Sequence, residues 1–414
     1  MRYSIYKTLS ELYEEEVEVV KDFIKSDIRI PNYVTSIKNS REVIDKNSIS
    51  KSQLMKLDYY KLLINKYGKL TFPNRSSVIN ELMNIIPDLH MFHKYTIYKF
   101  DIESFFYSVD TSKSVKEIER LFNLHSYEKK FFEKYVNQHK LFVPGVGIHN
   151  SMIEILGKKF DMRIKEIFKD NCVFYARYVD DGLIILDESF EKKFIDKLLS
   201  KILKEIFGVK TKLNITKTQC FLKENNIRIE YLGYQFNKGQ DGEFNFGIAL
   251  SKLQKYKEKL RSYIIDFQNT GDLEKLDFRL DVFYKRIVFY GKRKNNNLFR
   301  WQVRGVSDSY KELKRFMKKE NPYERITRET KNFFAKDICI LFRQLGVTIP
   351  LLIKNKVING FYLANFKNNK AILLHPKLGW KYEKLEKCLR QLYQVSTLNK
   401  SYSDLAIKFF HVHN

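Results

Sequence analysis

Phe174-Tyr175-Ala176-Arg177-Tyr178-Val179-Asp180-Asp181-Gly182-Leu183-Ile184-Ile185-Leu186 decides how this chain is read. Apolar β-formers flank two adjacent carboxylates. That pattern reads as strand, tight turn, strand, with Asp180 and Asp181 at the tip. Neighbouring carboxylates repel, and bound cations ease their joint ionisation. Oxygen ligands of this kind suit Mg²⁺ or Mn²⁺. Asp-Asp-Gly is also good turn chemistry, so an ordinary surface turn accounts for the stretch equally well when it stands alone.

A second stretch lies upstream, Tyr98-Lys99-Phe100-Asp101-Ile102-Glu103-Ser104-Phe105-Phe106-Tyr107-Ser108-Val109. An apolar strand again delivers a carboxylate, Asp101, at its end. Three carboxylates from two strand regions make a site for two divalent cations. Such a pair can activate a 3′-hydroxyl and stabilise a leaving pyrophosphate. In this order the two stretches resemble the A and C motifs of reverse transcriptases, whose palm hairpin carries Tyr-x-Asp-Asp. The resemblance implies an RNA-directed DNA polymerase of α+β class, with right-hand fingers and palm, an antiparallel palm sheet and a helical thumb-like C-terminal region. It implies that Asp101, Asp180 and Asp181 hold two Mg²⁺ ions, with Mn²⁺ as the alternative, and that the main-chain carbonyl of Ile102 touches one. It also implies that Phe106 packs under the sugar of a deoxynucleoside triphosphate and excludes a 2′-hydroxyl. The competing role for Phe106 is a core aromatic, because Phe105 and Phe106 alternate faces and one must point inward.

Other stretches extend the resemblance over about residues 65–250. Leu141 to Leu156 is a glycine-bearing loop opening a helix, in the place of motif B. Two registers compete: Gly145 as the motif glycine puts His149 at the usual Ser position and Glu154 at the acidic one, whereas Gly147 puts Ser151 there. Gly145 is preferred as a nucleotide-site residue, although Pro144 replaces the usual Gln. Leu213-Asn214-Ile215-Thr216-Lys217-Thr218 resembles motif D, where Lys217 would act on the leaving pyrophosphate as a general acid or charge stabiliser. Glu230 to Phe236 resembles motif E, with Leu232 and Gly233 at a primer-grip turn. Leu70 to Arg75 breaks a helical pattern and reads as the opening of a fingers hairpin. Lys69 and Arg75 are its candidates for holding a triphosphate.

The charge is far from neutral. The 414 residues carry 75 Lys+Arg against 49 Asp+Glu, a net +26, which calls for a polyanionic partner or an anionic surface. No apolar run reaches transmembrane length, so nucleic acid is favoured over membrane. Residues 251–414 hold 35 Lys+Arg and 15 Asp+Glu, a balance of +20, and residues 1–250 hold the remaining +6. Within the basic part, Lys292, Arg293, Lys294, Arg300 and Trp301 interleave cations with aromatics. That composition suits a phosphate backbone with exposed bases. Three regions follow: a helical segment over 1–70, fingers and palm over 71–250, and a basic helical nucleic-acid-binding region over 251–414. The opening residues lead into an acidic helix rather than a signal peptide, and the four cysteines show no zinc spacing or disulfide framework. A reducing cytoplasm is the expected setting.

Without an RNase H, integrase-like or endonuclease segment, the chain resembles most the bacterial reverse transcriptases of abortive-infection and antiphage-defence systems, with retron and group II intron enzymes more distant. The partners this implies are an RNA template, a structured noncoding RNA in particular, a DNA product and deoxynucleoside triphosphates. A homo-oligomer or partner protein remains open, as do a template-independent DNA polymerase, an RNA-synthesising polymerase and a noncatalytic RNA-binding scaffold on the same fold.

Overall fold

The computed structural model describes residues 2–26, 29–38, 41–293, 296–316, 324–361 and 371–412. They form a mixed α+β structure with antiparallel sheets and many helices. The chain divides into two compact units, 1–225 and 226–414. Among the described residues no helix is long and apolar enough to cross a membrane.

The first unit contains strands β1 (Thr35–Lys38), β2 (Arg41–Ile44), β3 (Thr96–Asp101), β4 (Cys172–Tyr178), β5 (Asp181–Leu186) and β6 (Gln219–Leu222). Four of them make an antiparallel sheet in the order β4-β5-β3-β6. β3 is buried along nearly its whole length, with Ile97, Tyr98 and Phe100 in the core and only Lys99 half-buried. Helices Gly147–Ile167 and Lys192–Phe207 contribute Phe160, Ile195 and Leu199 to the core that holds Tyr98, Phe100, Ile184 and Leu186.

Two expectations for this unit are corrected. Residues 1–70 are not wholly helical, because β1 and β2 pair as an antiparallel hairpin. Its strands are only four residues long, and its anchor is remote: the Ile44 N–H donates to the Pro144 carbonyl at 2.8 Å. Leu70 to Arg75 does not open a hairpin. The Asn74 side chain accepts from the Ser76 N–H at 2.9 Å and caps a helix over Arg75–Ile85.

The second unit begins with an antiparallel meander of β7 (Arg228–Tyr231), β8 (Tyr234–Lys238) and β9 (Phe244–Ile248). Its expected all-helical continuation is also corrected. Beside helices such as Leu250–Thr270 and Tyr382–Tyr393 lies a second sheet, of β10 (Arg286–Arg293), β11 (Asn296–Arg304) and β12 (Ala371–Leu374), in the order β11-β10-β12. The run Ile287-Val288-Phe289-Tyr290 is β-branched and aromatic, so strand propensity prevails there over the surrounding helical pattern.

Candidate active site

β3 and β5 run antiparallel with Asp101 opposite Asp181. Directly opposed residues of such a pair share one face of the sheet. Asp180 is tied to the same place through its backbone: the Ile102 N–H donates to the Asp180 carbonyl at 3.0 Å. The turn between β4 and β5 therefore carries its two carboxylates to the end of β3. Val179 within it has φ +62°, a left-handed conformation rare for a β-branched residue.

The carboxylates feel one another. Burial pushes the Asp181 carboxyl up to about 6, and the Asp180 charge adds to the rise, with Asp101 contributing and Lys99 and Lys217 opposing. Asp180 is raised as well, by burial first and then by Asp101, against the pull of Arg41 and Lys217. Lys217 has its Nζ 3.3 Å from the Asp101 Oδ2. The loop bearing it is docked on β3. The Asn214 N–H donates to the Asp101 carbonyl at 2.8 Å, the Glu103 N–H to the Lys212 carbonyl at 3.0 Å, and Ile102 bridges Leu213. Among the described residues, no three His, Cys, Asp or Glu side chains form a ready metal cage. A mutually repelling, oxygen-only set nonetheless has the donor chemistry that hard divalent cations take.

Phe105 is buried and Phe106 half-buried, so the inward position of that pair belongs to Phe105. The Tyr107 hydroxyl donates to the Glu42 carbonyl at 2.5 Å, fastening this turn to β2. Gly145 has φ +134°, and a Cβ there would lie 2.8 Å from the Ile44 backbone nitrogen. The motif-B loop and β2 thus meet where only glycine fits. His149 and Glu154, at the Ser and acidic positions of that register, are buried structural groups. The His149 Nδ1–H donates to the Val143 carbonyl at 2.6 Å, and the Tyr135 hydroxyl donates to its Nε2. Ser151, of the alternative register, donates to the Asn65 Oδ1 at 2.7 Å.

Two residues of this region escaped the sequence reading. Arg41, exposed at the start of β2, is among the charges that move Asp180 most, whereas Lys69 and Arg75 are not. Nothing in a four-residue strand marked it. Arg177 did leave a signal: a lone cation inside an apolar strand must be paired if buried. Its side chain is 1% exposed, and all five of its N–H donors are engaged. Nε and Nη2 meet Asp161 at 2.7 and 3.0 Å, Nη2 and Nη1 meet Glu154 at 2.8 and 3.2 Å, and Nη1 donates to the Val179 carbonyl at 3.0 Å. Burial alone would lower the Arg177 pKa, but the two carboxylates hold it above its ordinary value.

Leu232 and Gly233 form the tip between β7 and β8, with φ +48° and +80°. In the second unit Trp301 is exposed. Lys294 lies outside the described residues, as do the side chains of Lys292, Arg293 and Arg300.

No family model matches the chain, and no curated protein matches it. Solved telomerase structures do. Telomerase from Candida albicans in complex with a TWJ fragment of telomeric RNA is 13% identical, with a TM-score of 0.38, over 65% of this chain and 54% of that one. Its Candida tropicalis counterpart, also with a TWJ fragment, is 15% identical, with a TM-score of 0.35, over 64% and 55%. Apo telomerase from Candida tropicalis, truncated from the C-terminal domain, is 13% identical, with a TM-score of 0.33, over 48% and 50%. The chain spans about half the length of these structures.

Proposed function

We propose that the chain is an RNA-directed DNA polymerase that adds deoxynucleotides by two-metal phosphoryl transfer. The observation that supports this most directly is the set of Asp101, Asp180 and Asp181 at adjoining strand ends, with Asp101 opposite Asp181, the charges of Asp101 and Asp180 both raising Asp181, and Lys217 3.3 Å from Asp101. When bound, two Mg²⁺ ions would supply activation of a 3′-hydroxyl and charge stabilisation of the pyrophosphate. Asp101, Asp180, Asp181 and the Ile102 carbonyl are the groups that would hold them.

The remaining roles belong to this chain's own side chains. Lys217 offers a proton and a positive charge to the departing pyrophosphate. Arg41 joins Lys69 and Arg75 as a residue assigned to the triphosphate, on its influence at Asp180 and its exposure. Phe106, the less buried of its pair, is assigned to the sugar, Gly145 to the nucleotide-site loop, and Leu232 and Gly233 to the primer backbone. The resemblance to abortive-infection enzymes supports a role in antiphage defence with a dedicated noncoding RNA.

The test replaces Asp180 and Asp181 together with Ala. The purified variant is expected to fold and bind RNA but incorporate no deoxynucleotide on a primed RNA template in Mg²⁺ or Mn²⁺. Expressed in its host, it is expected to lose phage protection. Wild-type incorporation by this variant would end the polymerase assignment. Lost incorporation with full protection would end the defence role for the chemistry.

A further inference from the structure

We propose that the exposed face of the β11-β10-β12 sheet is a stacking platform for unpaired bases of single-stranded RNA. Register brings three rings together on it. Tyr290 pairs with Trp301 on one side, and the parallel pairing of Phe289 with Leu374 puts His375 beside Tyr290 on the other. The ring centroids of Tyr290 and Trp301 are 4.9 Å apart with planes tilted by 48°, and His375 lies 6.3 Å from each, its plane 40° from that of Tyr290 and 24° from that of Trp301. The next row is also apolar: Val303, Val288 and Leu373.

These rings are not needed as core. The opposite face of the sheet carries Ile287, Phe289, Ile372 and Leu374, all buried against Leu405, Phe409 and Phe410 of the helix Tyr402–Val412. Trp301 is 53% exposed and Tyr290 39%. Large aromatic area kept in water on a sheet face marks a binding surface more often than a packing remnant. The cluster is also held in place. The His375 Nδ1 accepts the backbone N–H groups of Lys377 and Leu378 at 3.2 and 3.1 Å, which fixes the ring and leaves its proton on Nε2.

Charge selects the occupant. Residues 251–414 carry a balance of +20, and Lys292, Arg293 and Arg300 belong to the same two strands as Tyr290 and Trp301. An exposed aromatic cluster within a cationic region matches a polyanion whose bases present their faces. Every base has a π-face, so such a platform reads strandedness and not sequence. A duplex keeps those faces stacked inside itself. The choice of RNA over DNA rests on the polymerase reading; the platform itself does not.

The chain has two tryptophans, so Trp380→Phe leaves Trp301 as its single indole. Oligouridylate is titrated into this protein while Trp301 emission is followed, with oligothymidylate and a blunt RNA duplex in parallel. The expected result is saturable quenching by oligouridylate, weaker quenching by oligothymidylate and none by the duplex. In the otherwise wild-type chain, Trp301→Ala should lower oligouridylate affinity by about 5- to 150-fold, the worth of one stacked base. The slope of log affinity against log salt should stay unchanged, because no phosphate contact is removed. Trp301→Phe, which keeps a ring, should retain most of the affinity, separating stacking from any effect on folding. The full chain with Asp180 and Asp181 both replaced by Ala should bind as wild type does, so failure of the polymerase reading leaves this result standing. Absent quenching, equal affinity for Trp301→Ala, or a change in sedimenting mass on that substitution would each overturn the platform, the last by making the face a contact between copies. Tighter binding of oligothymidylate would overturn the assignment to RNA.

Discussion

Replacing Arg177 with Met should unfasten the candidate active site from beneath, and the size of the effect follows from its contacts. Asp161 and Glu154 each receive two of the guanidinium N–H groups, and the fifth goes to the Val179 carbonyl. Methionine fills much of the space and supplies none of these donors. Removing one partner of a buried ion pair costs about 3–5 kcal/mol, because the charge left behind is uncompensated. In a unit of this size, each 1 kcal/mol lowers the melting temperature by about 2–4 °C, so a fall of about 6–20 °C is expected.

The pH dependence identifies the cause. Burial already raises the Glu154 pKa, and Arg177 is what pulls it back down. Without Arg177 that pKa rises further. A carboxyl with a raised folded-state pKa escapes its penalty by binding a proton at low pH and bears it in full at high pH. The loss of stability should therefore be larger at pH 8 than at pH 5, and Glu154→Gln added to Arg177→Met should recover part of it. Urea unfolding followed by circular dichroism at both pH values measures all three quantities. A loss under about 1 kcal/mol, or equal losses at the two pH values with no recovery in the double variant, would refute the argument.

Two further outcomes are expected. Gly157→Ala should destabilise the same assembly by about 1–3 kcal/mol, since a Cβ there would sit 2.2 Å from the Arg177 Nη2 and force the guanidinium off its partners; thermal melting checks it. Burial lowers the His149 pKa from 6.5 to about 4, so the folded state refuses a proton that the unfolded state accepts: its contribution should be complete above pH 6.5 and fall by about 3 kcal/mol as pH drops to 4, a segment of the stability profile that His149→Gln should flatten.

What the sequence made legible was local. The Asp180-Asp181 turn, the strand ending at Asp101 and the helix opened by the glycine-bearing loop after Leu141 each follow from patterns spanning fewer than twenty residues, and the structure has all three. What it hid was pairing at a distance. β2 is four residues of weak signal whose place is set by Pro144, a hundred positions away, so Arg41 could not be found by pattern. The second sheet was hidden for the same reason, because β10 takes its parallel partner from β12 across more than eighty residues. Charge counting found the basic region but not its form, and could not tell the aromatics Phe289, Tyr290 and Trp301 apart. The strand register separates them, burying Phe289 on one face and leaving the other two exposed on the opposite face.

Arg177 also resolves a conflict built into the candidate site. The tip of the β4–β5 turn must present carboxylates that repel one another, on a backbone that holds Val179 at φ +62°, a conformation that costs about 1–3 kcal/mol. Sheet hydrogen bonds end at the tip and cannot oppose both. The Arg177 guanidinium lies one residue before Tyr178 and reaches past it to the Val179 carbonyl, while Asp161 and Glu154 on the helix Gly147–Ile167 hold its other donors. Strain and repulsion at the surface are thereby balanced by a fully bonded cation in the core. That arrangement explains why the cation is arginine: lysine offers three donors from one point and could not span two carboxylates and a carbonyl in a fixed plane.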